Sequence, residues 1–228
     1  MILSVIIPVY NEKATIKEII NRVKSAEPQD KEIIIVDDCS TDGTRDILKS
    51  LQGDRVRVIL HEKNTGKGAA VRTGLAAAKG DIVMLQDADL EYDPKEIAAL
   101  IKPIQDGAAD AVYGSRFGGG RPQRVHMLWH QAGNRFLTFL FNIMYNCTLT
   151  DLETCYKAFR RDLVKDFQIK SEGFAIEPEL TAKIMRKHAR LYEVPISYYG
   201  RSYDEGKKIR LYHGLEAMWA IIKFKFVE

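Results

Sequence analysis

Residues 81–91 read Asp-Ile-Val-Met-Leu-Gln-Asp-Ala-Asp-Leu-Glu, a short apolar run that ends in three acids. A run this short and this apolar predicts a strand buried on both faces. Helix-forming segments flank it. Ala69 to Lys79 precedes it, with Gly80 placed as a C′ residue, and Asp93-Pro94 opens a helix to about Gln105 after it. The same alternation extends outward in both directions. Leu3 to Val9, Glu32 to Asp37 and Val56 to Leu60 read as strands, and Ala111 to Gly114 as a fifth. Between them, Thr15-Ile-Lys-Glu18 has capping-box spacing ahead of Ile16, Ile19, Ile20 and Val23, and Ser40-Thr-Asp-Gly43 can cap a helix to about Leu51. The order βαβαβαβαβ predicts an α/β fold with a mostly parallel sheet and helices on both faces. Ligands of such sheets bind beyond the carboxyl ends of the strands. The acids of residues 87–91 stand at one of those ends.

The later part of the chain is less regular. Phe117 to Arg124 is a Gly-rich basic loop, His126 to Tyr145 a long apolar helix, Cys155 to Phe159 a strand, Ile176 to His188 a helix, Leu191 to Val194 a strand and Leu211 to Phe226 an amphipathic helix. No repeat, low-complexity tract or linker interrupts the chain. One domain over residues 1–228 is expected, with nucleotide recognition in 1–115 and acceptor recognition in 116–228. The net charge of +3 gives no case for a nucleic-acid partner. The three cysteines, Cys39, Cys147 and Cys155, form no CxxC pair, which argues against a disulfide framework or a zinc site. No basic leader precedes the first strand, and no apolar run approaches the ~20 residues of a membrane span. The expectation is therefore a cytoplasmic protein.

Several strand ends carry residues suited to chemistry. In an extended segment Asp87, Asp89 and Glu91 would share a face. Three carboxylates together repel one another unless a cation such as Mg²⁺ or Mn²⁺ intervenes. A solvated acidic turn leading into Pro94 is the plainer alternative. Asp38 ends the second strand and can accept hydrogen bonds from a base or ribose, or cap the next helix. Tyr10 can stack on a base, and Glu12 can bind an amide or hydroxyl. Thr65-Gly-Lys-Gly-Ala-Ala70, containing Lys67, precedes a helix N-terminus, a place that favours anions. It matches neither the P-loop nor the dinucleotide pattern, which removes support for an ATPase or a dehydrogenase. Arg116 ends the fifth strand and suits a phosphate. Arg201, Lys207 and Lys208 lie in a basic stretch that also reads as a solvated loop. Arg135 sits in an apolar helical pattern and needs a partner. His126 and His130 share a helical face without a third ligand and read as surface residues. Glu177 and Glu179 begin a helix, where acids suit the dipole, or where one binds a sugar hydroxyl.

Taken in order, Ser4-Val-Ile-Ile-Pro-Val-Tyr-Asn-Glu12, Ile35-Val-Asp-Asp38 with Ser40-Thr-Asp-Gly43, Asn64-Thr-Gly-Lys-Gly68, Asp87-Ala-Asp89 and Gly114-Ser-Arg-Phe117 resemble family 2 glycosyltransferases of the GT-A fold. Within that family the chain is similar to the dolichol-phosphate mannosyltransferase and polyprenyl-phosphate glucosyltransferase group. The resemblance implies that Pro8, Tyr10, Glu12, Val36 and Asp38 hold the nucleoside, with Lys67 and Asp87 also on the nucleotide. It implies that Asp87, Asp89 and Glu91 bind the metal, and that Asp89, Arg116 and Arg201 are catalytic. Arg116, Arg135, Arg201, Lys207 and Lys208 would meet the acceptor phosphate. Two departures stand out: Glu91 where many members carry Gln, and Arg201-Ser-Tyr-Asp-Glu-Gly-Lys-Lys208 in place of a shorter Arg…Gly-Glu-Ser-Lys loop.

The implied reaction is inverting transfer of mannose or glucose, from GDP-mannose or UDP-glucose, to a dolichyl or undecaprenyl phosphate. The enzyme would sit peripherally at the cytoplasmic membrane face. Leu211, Leu215, Met218, Trp219, Ile222 and Phe226 share one face of the last helix beside Lys223 and Lys225, which suits an interfacial helix or a core-packing one. A saccharide hydroxyl acceptor would instead need a base, with Asp151 or Glu177 as candidates. A non-catalytic nucleotide or lipid-phosphate binder is a further alternative. A sugar-phosphate nucleotidyltransferase is disfavoured by Pro8-Val-Tyr-Asn-Glu12, which lacks a Gly-rich basic signature. An Asp-x-Asp phosphatase is disfavoured because its motif belongs on a first strand.

Overall fold

A computed structural model of the chain describes all residues except 54, 126, 203, 206–210 and 228, and leaves the side chain of residue 211 undescribed. Leu3–Val9 (β1), Lys31–Asp37 (β2), Val56–Leu60 (β3) and Ile82–Leu85 (β4) pair in parallel, with β1 central. Ala111–Ser115 (β5), Lys157–Arg160 (β6) and Leu191–Pro195 (β7) complete one seven-stranded sheet of order β3-β2-β1-β4-β6-β5-β7. β6 runs antiparallel between β4 and β5, while β5 and β7 are parallel. The mostly parallel sheet is the one the alternation predicts. The inserted antiparallel β6 comes from the irregular second half.

Alternate strand residues divide into two cores, as the two-residue repeat of a strand requires. Val5, Ile7, Ile33 and Ile35 face Ile16–Ser25 (α1), Thr44–Leu51 (α2) and Ile97–Gln105 (α4). Ile6, Ile34 and Val36 face Lys67–Ala77 (α3), Leu128–Tyr145 (α5), the short Arg161–Val164 (α6), Ile176–Arg186 (α7) and Leu211–Phe226 (α8). The inner strands β1, β2 and β4 are therefore covered on both sides, which explains their nearly unbroken apolar sequences. Among the described residues, no helix is long and apolar enough to cross a membrane.

Three local expectations are corrected. Thr15 stands at the start of α1, but its hydroxyl donates to Glu12 Oε2 at 2.9 Å, and Glu18 pairs with Arg22 at 2.8 Å, so the capping box does not form. Gly80 is not a left-handed C′ residue; α3 has already ended at Ala77. Gly80 is required because a Cβ there would come 2.7 Å from the carbonyl oxygen of Ile2. The helix before Gly80 also begins two residues earlier than Ala69, at Lys67.

Candidate active site

The carboxyl ends of β1, β4 and β5, with the turn after β2, surround a cavity of about 530 Å³. Pro8, Tyr10, Glu12, Asp38, Lys67, Asp87, Asp89, Glu91, Arg116 and Arg201 all line it. Parallel strands bring their carboxyl ends to the same edge of the sheet, and this is what gathers residues far apart in sequence. Val36 is the exception among the expected nucleotide contacts. It is fully buried in the core cluster shared with α3 and does not line the cavity.

The acids after β4 do not present a common face. Leu90 adopts a left-handed φ of 64°, so the segment bends instead of continuing extended. Asp87 turns to Lys67 Nζ at 2.9 Å. Asp89 accepts from Arg201 Nη2 at 3.0 Å and from the Glu91 amide at 3.1 Å. Glu91 accepts from the Tyr198 hydroxyl at 2.6 Å and the Arg201 amide at 2.8 Å. Burial, then the charges of Asp87 and Glu91, push the Asp89 carboxyl up to about 7 against the pull of Arg201. Burial also opposes the charge on Asp87, yet Lys67 and the Cys155 thiol hold its carboxyl below the usual range. Among the described residues, no group of three His, Cys, Asp or Glu is arranged to hold a metal. Glu91 therefore stands apart from the expected trio, because protein donors occupy both of its oxygens. Asp87 and Asp89 remain a pair of cavity carboxylates in which Asp89 is short of positive charge. Such a pair fits a divalent cation that takes its other ligands from phosphates.

Asp38 pins a loop at the cavity wall. Its carboxylate accepts from Thr65 N at 3.0 Å and Gly66 N at 2.6 Å, and lies 2.8 Å from His61 Nδ1. The expected anion site at the start of α3 is corrected. The Gly68 amide already donates to the Glu172 carbonyl at 2.6 Å. That contact is why glycine is needed, since a Cβ at residue 68 would sit 2.0 Å from the Ser171 oxygen. The loop's positive charge reaches the cavity through Lys67, which meets Asp87, Glu177 at 3.3 Å and the Cys155 sulfur at 2.8 Å.

Arg116 is held by a fork: Nε and Nη2 each donate to Asp151 at 2.7 Å, and its own amide donates there at 2.9 Å. Its guanidinium lies 5.1 Å from the Tyr198 ring centroid. Both oxygens of the fully buried Asp151 are thus occupied by Arg116, which leaves no free lone pair aimed at an acceptor hydroxyl and removes Asp151 from the candidate bases. Glu177 is committed too, to Lys157 in β6 on one side and Lys67 on the other. The lone lysine among Tyr156, Ala158 and Phe159 was the sequence signal for that buried pair.

A second cavity of about 360 Å³ adjoins the first. Arg124, His130, Gln131 and Asn134 line it, and Arg116, Glu153, Cys155, Phe174, Tyr198 and His213 belong to both. His130 is thus a cavity residue, not the surface histidine its spacing predicted. Arg135 is corrected in the other direction. It lies one position off the inward face of α5, is exposed, and places its guanidinium 5.8 Å from the Phe117 ring centroid. Lys207, Lys208 and His126 fall outside the described residues.

The whole arrangement has known counterparts. The glucosyl-3-phosphoglycerate synthase of Mycobacterium tuberculosis, crystallised with Mn²⁺, UDP and glucosyl-3-phosphoglycerate, superposes with a TM-score of 0.76 at 22% identity, covering 99% of this chain and 80% of that one. The fold is therefore GT-A, as the motifs implied. The glycosyltransferase AglJ of Haloferax volcanii is 28% identical over 198 residues, which is 86% of this chain and 63% of that protein. The chain thus spans less than two thirds of that relative's length. The UDP-N-acetylglucosamine–dolichyl-phosphate N-acetylglucosaminyltransferase of Methanococcus voltae is 28% identical over 239 residues, covering 96% of this chain and 94% of that one. The sequence pattern of glycosyl transferase family 2 matches residues 4–167, a span that holds Asp38, Asp87, Asp89, Arg116 and Asp151. Most of the residues lining the cavity lie in that span, and with that match the chain belongs to glycosyl transferase family 2.

Proposed function

We propose that the chain is an inverting glycosyltransferase that moves a hexose from a nucleotide-sugar to a polyprenyl phosphate. The observation that carries this is the pair of adjoining cavities. One holds the acids Asp87 and Asp89, the other is lined by Arg124, His130 and Asn134, and Arg116 stands in the wall between them. Pro8, Tyr10 and Glu12 would hold the nucleoside at the first cavity. Asp87 and Asp89 would hold Mg²⁺ or Mn²⁺ together with the donor diphosphate; when bound, the ion supplies positive charge to the leaving group. Lys67 and Arg201 add fixed positive charge on the same side. Arg116, oriented by Asp151, would meet the acceptor phosphate. Residues 1–115 would form the donor half and 116–228 the acceptor half, with Arg201 reaching across to Asp89.

A phosphate monoester has a second pKa of about 6, so such an acceptor arrives largely as an anion. One of its oxygens forms the new bond to the anomeric carbon as the bond to the diphosphate breaks. No strong base is needed, in keeping with Asp151 and Glu177 both being tied into ion pairs. The dolichyl phosphate in the name of the Methanococcus relative supports a lipid phosphate as acceptor. A lipid substrate also calls for peripheral membrane contact. α5 exposes Leu128, Trp129, Phe136, Phe139 and Ile143, and α8 exposes Leu215, Trp219, Ile222 and Phe226. Radiolabelled GDP-mannose, UDP-glucose or UDP-N-acetylglucosamine, incubated with polyprenyl phosphate and Mn²⁺, should give label in the lipid phase. Asp89→Ala should lower that transfer about 100-fold or more. Equal rates for Asp89→Ala and wild type would sink the assignment, and label moving only to saccharides would replace the acceptor.

A further inference from the structure

Glu153, in the segment between α5 and β6, lines both cavities in their shared wall. Its Oε1 is buried, and among the described residues no hydrogen-bond donor meets it. A buried carboxylate oxygen in that state is costly, and a group left so in a cavity wall points to a ligand that completes it. The neighbouring charges do not neutralise it. Lys157 of β6 is committed to Glu177, and Arg116 is forked onto Asp151. Glu177 from α7 and Asp151 from the same segment repel a charge on Glu153. Burial and then Glu177 push its carboxyl up to about 7, against the pull of Lys157 and Arg116. Tyr198, beyond β7, and His213, in α8, share its wall, and Arg124 and His130 face the same second cavity.

Resting on the acceptor assigned above, we propose that Glu153 is a positioning residue that acts as a neutral acid, donating its carboxyl O–H to the anionic phosphate of the acceptor beside Arg116. The proton balance is simple. An ionised Glu153 takes one proton from solvent as the phosphate enters, because the added negative charge favours the neutral carboxyl. Only that O–H bond forms. Above neutral pH the proton becomes harder to supply, so acceptor binding weakens as pH rises.

The test is titration calorimetry of farnesyl phosphate, a soluble prenyl monophosphate, between pH 6 and 9 in buffers of different ionisation enthalpy. Wild type should take up close to one proton per ligand at pH 8 and lose affinity by roughly tenfold per pH unit above it. Glu153→Gln keeps an N–H donor that does not titrate; its affinity should stay nearly level from pH 7 to 9 and that proton uptake should vanish. Glu153→Asp should retain the uptake. An unchanged pH profile and proton count in Glu153→Gln overturns the role of Glu153 while leaving the acceptor assignment standing. If Glu153→Gln does not fold, wild type alone decides, since no proton uptake at pH 8 overturns the proposal. Farnesyl phosphate that binds wild type at no pH overturns the acceptor assignment and this proposal together.

Discussion

Single residues in this site are defined by what holds them. Arg116 is positioned by a carboxylate with no solvent exposure, so the pair behaves as one rigid unit. Removing one partner leaves the other charge buried and uncompensated. Asp151→Asn should therefore destabilise the protein by about 3–5 kcal/mol in urea unfolding. Replacing both partners with apolar residues of similar size should cost clearly less than the single change. A single-variant loss under about 1 kcal/mol would show the fork to be energetically idle. The residue scale also explains the behaviour of the acidic motif. Three acids in a short run look equivalent in sequence, but their partner sets differ: Lys67 for Asp87, Arg201 for Asp89, and Tyr198 together with Arg201 for Glu91.

At the scale of elements, the sheet is tied at the end opposite the site by Asp110. Its carboxylate accepts from the Arg190 amide and Nε at 3.0 Å each and from Arg160 Nη1 at 3.2 Å, joining the starts of β5 and β7 to the end of β6. The Arg190 hydrogen bonds hold this carboxyl well below the usual range, outweighing burial. A depressed folded-state pKa contributes stability above the unfolded value near 4, and the contribution fades as pH falls from there. Asp110→Asn should be less stable than wild type at pH 7, and its melting temperature should fall less between pH 5 and 2. Parallel pH curves for the two proteins would contradict this. The α3 turn supplies a second prediction. Gly68→Ala forces a methyl to within 2.0 Å of a backbone oxygen, so residues 171–173 must move. Overpacking of this kind costs about 1–3 kcal/mol, and it should lower transferase activity as well, because Lys67 is the adjoining residue.

At the scale of the molecule, α5 and α8 pack together, and both bury one side in the same core. In α8 the buried side is Ala217, Ala220, Ile221 and Phe224, so the face of Leu215, Trp219, Ile222 and Phe226 is left outward. The last helix therefore packs into the core on one side, as one of its two expected roles required, and leaves an apolar face exposed on the other. Trp129, 83% exposed, and Trp219, 64% exposed, are the largest apolar groups of the pair. Exposed apolar area of this extent, with Lys225 beside it, fits a lipid interface. Trp129→Ser combined with Trp219→Ser should reduce co-sedimentation with anionic vesicles several-fold while leaving the melting temperature within a few degrees. Undiminished pelleting would remove these helices from membrane binding.

Much was legible from local pattern, because strand and helix periods and the burial they demand are properties of short segments. The parallel sheet, its two covered faces and the collection of Tyr10, Glu12, Asp38, Asp87, Asp89 and Arg116 at one edge follow from that pattern and the topology it implies. What local pattern does not encode is the direction of a side chain once the backbone bends or a distant segment arrives. Leu90 turns the acids apart, Glu172 takes the amide of Gly68, Asp151 claims Arg116, and Glu177 meets Lys157 across the core. The sequence by itself determined the fold, the edge at which the site lies and most of the residues in it. Only the tertiary structure decided their pairings, because each depends on a partner dozens of residues away that folding alone brings within hydrogen-bonding distance.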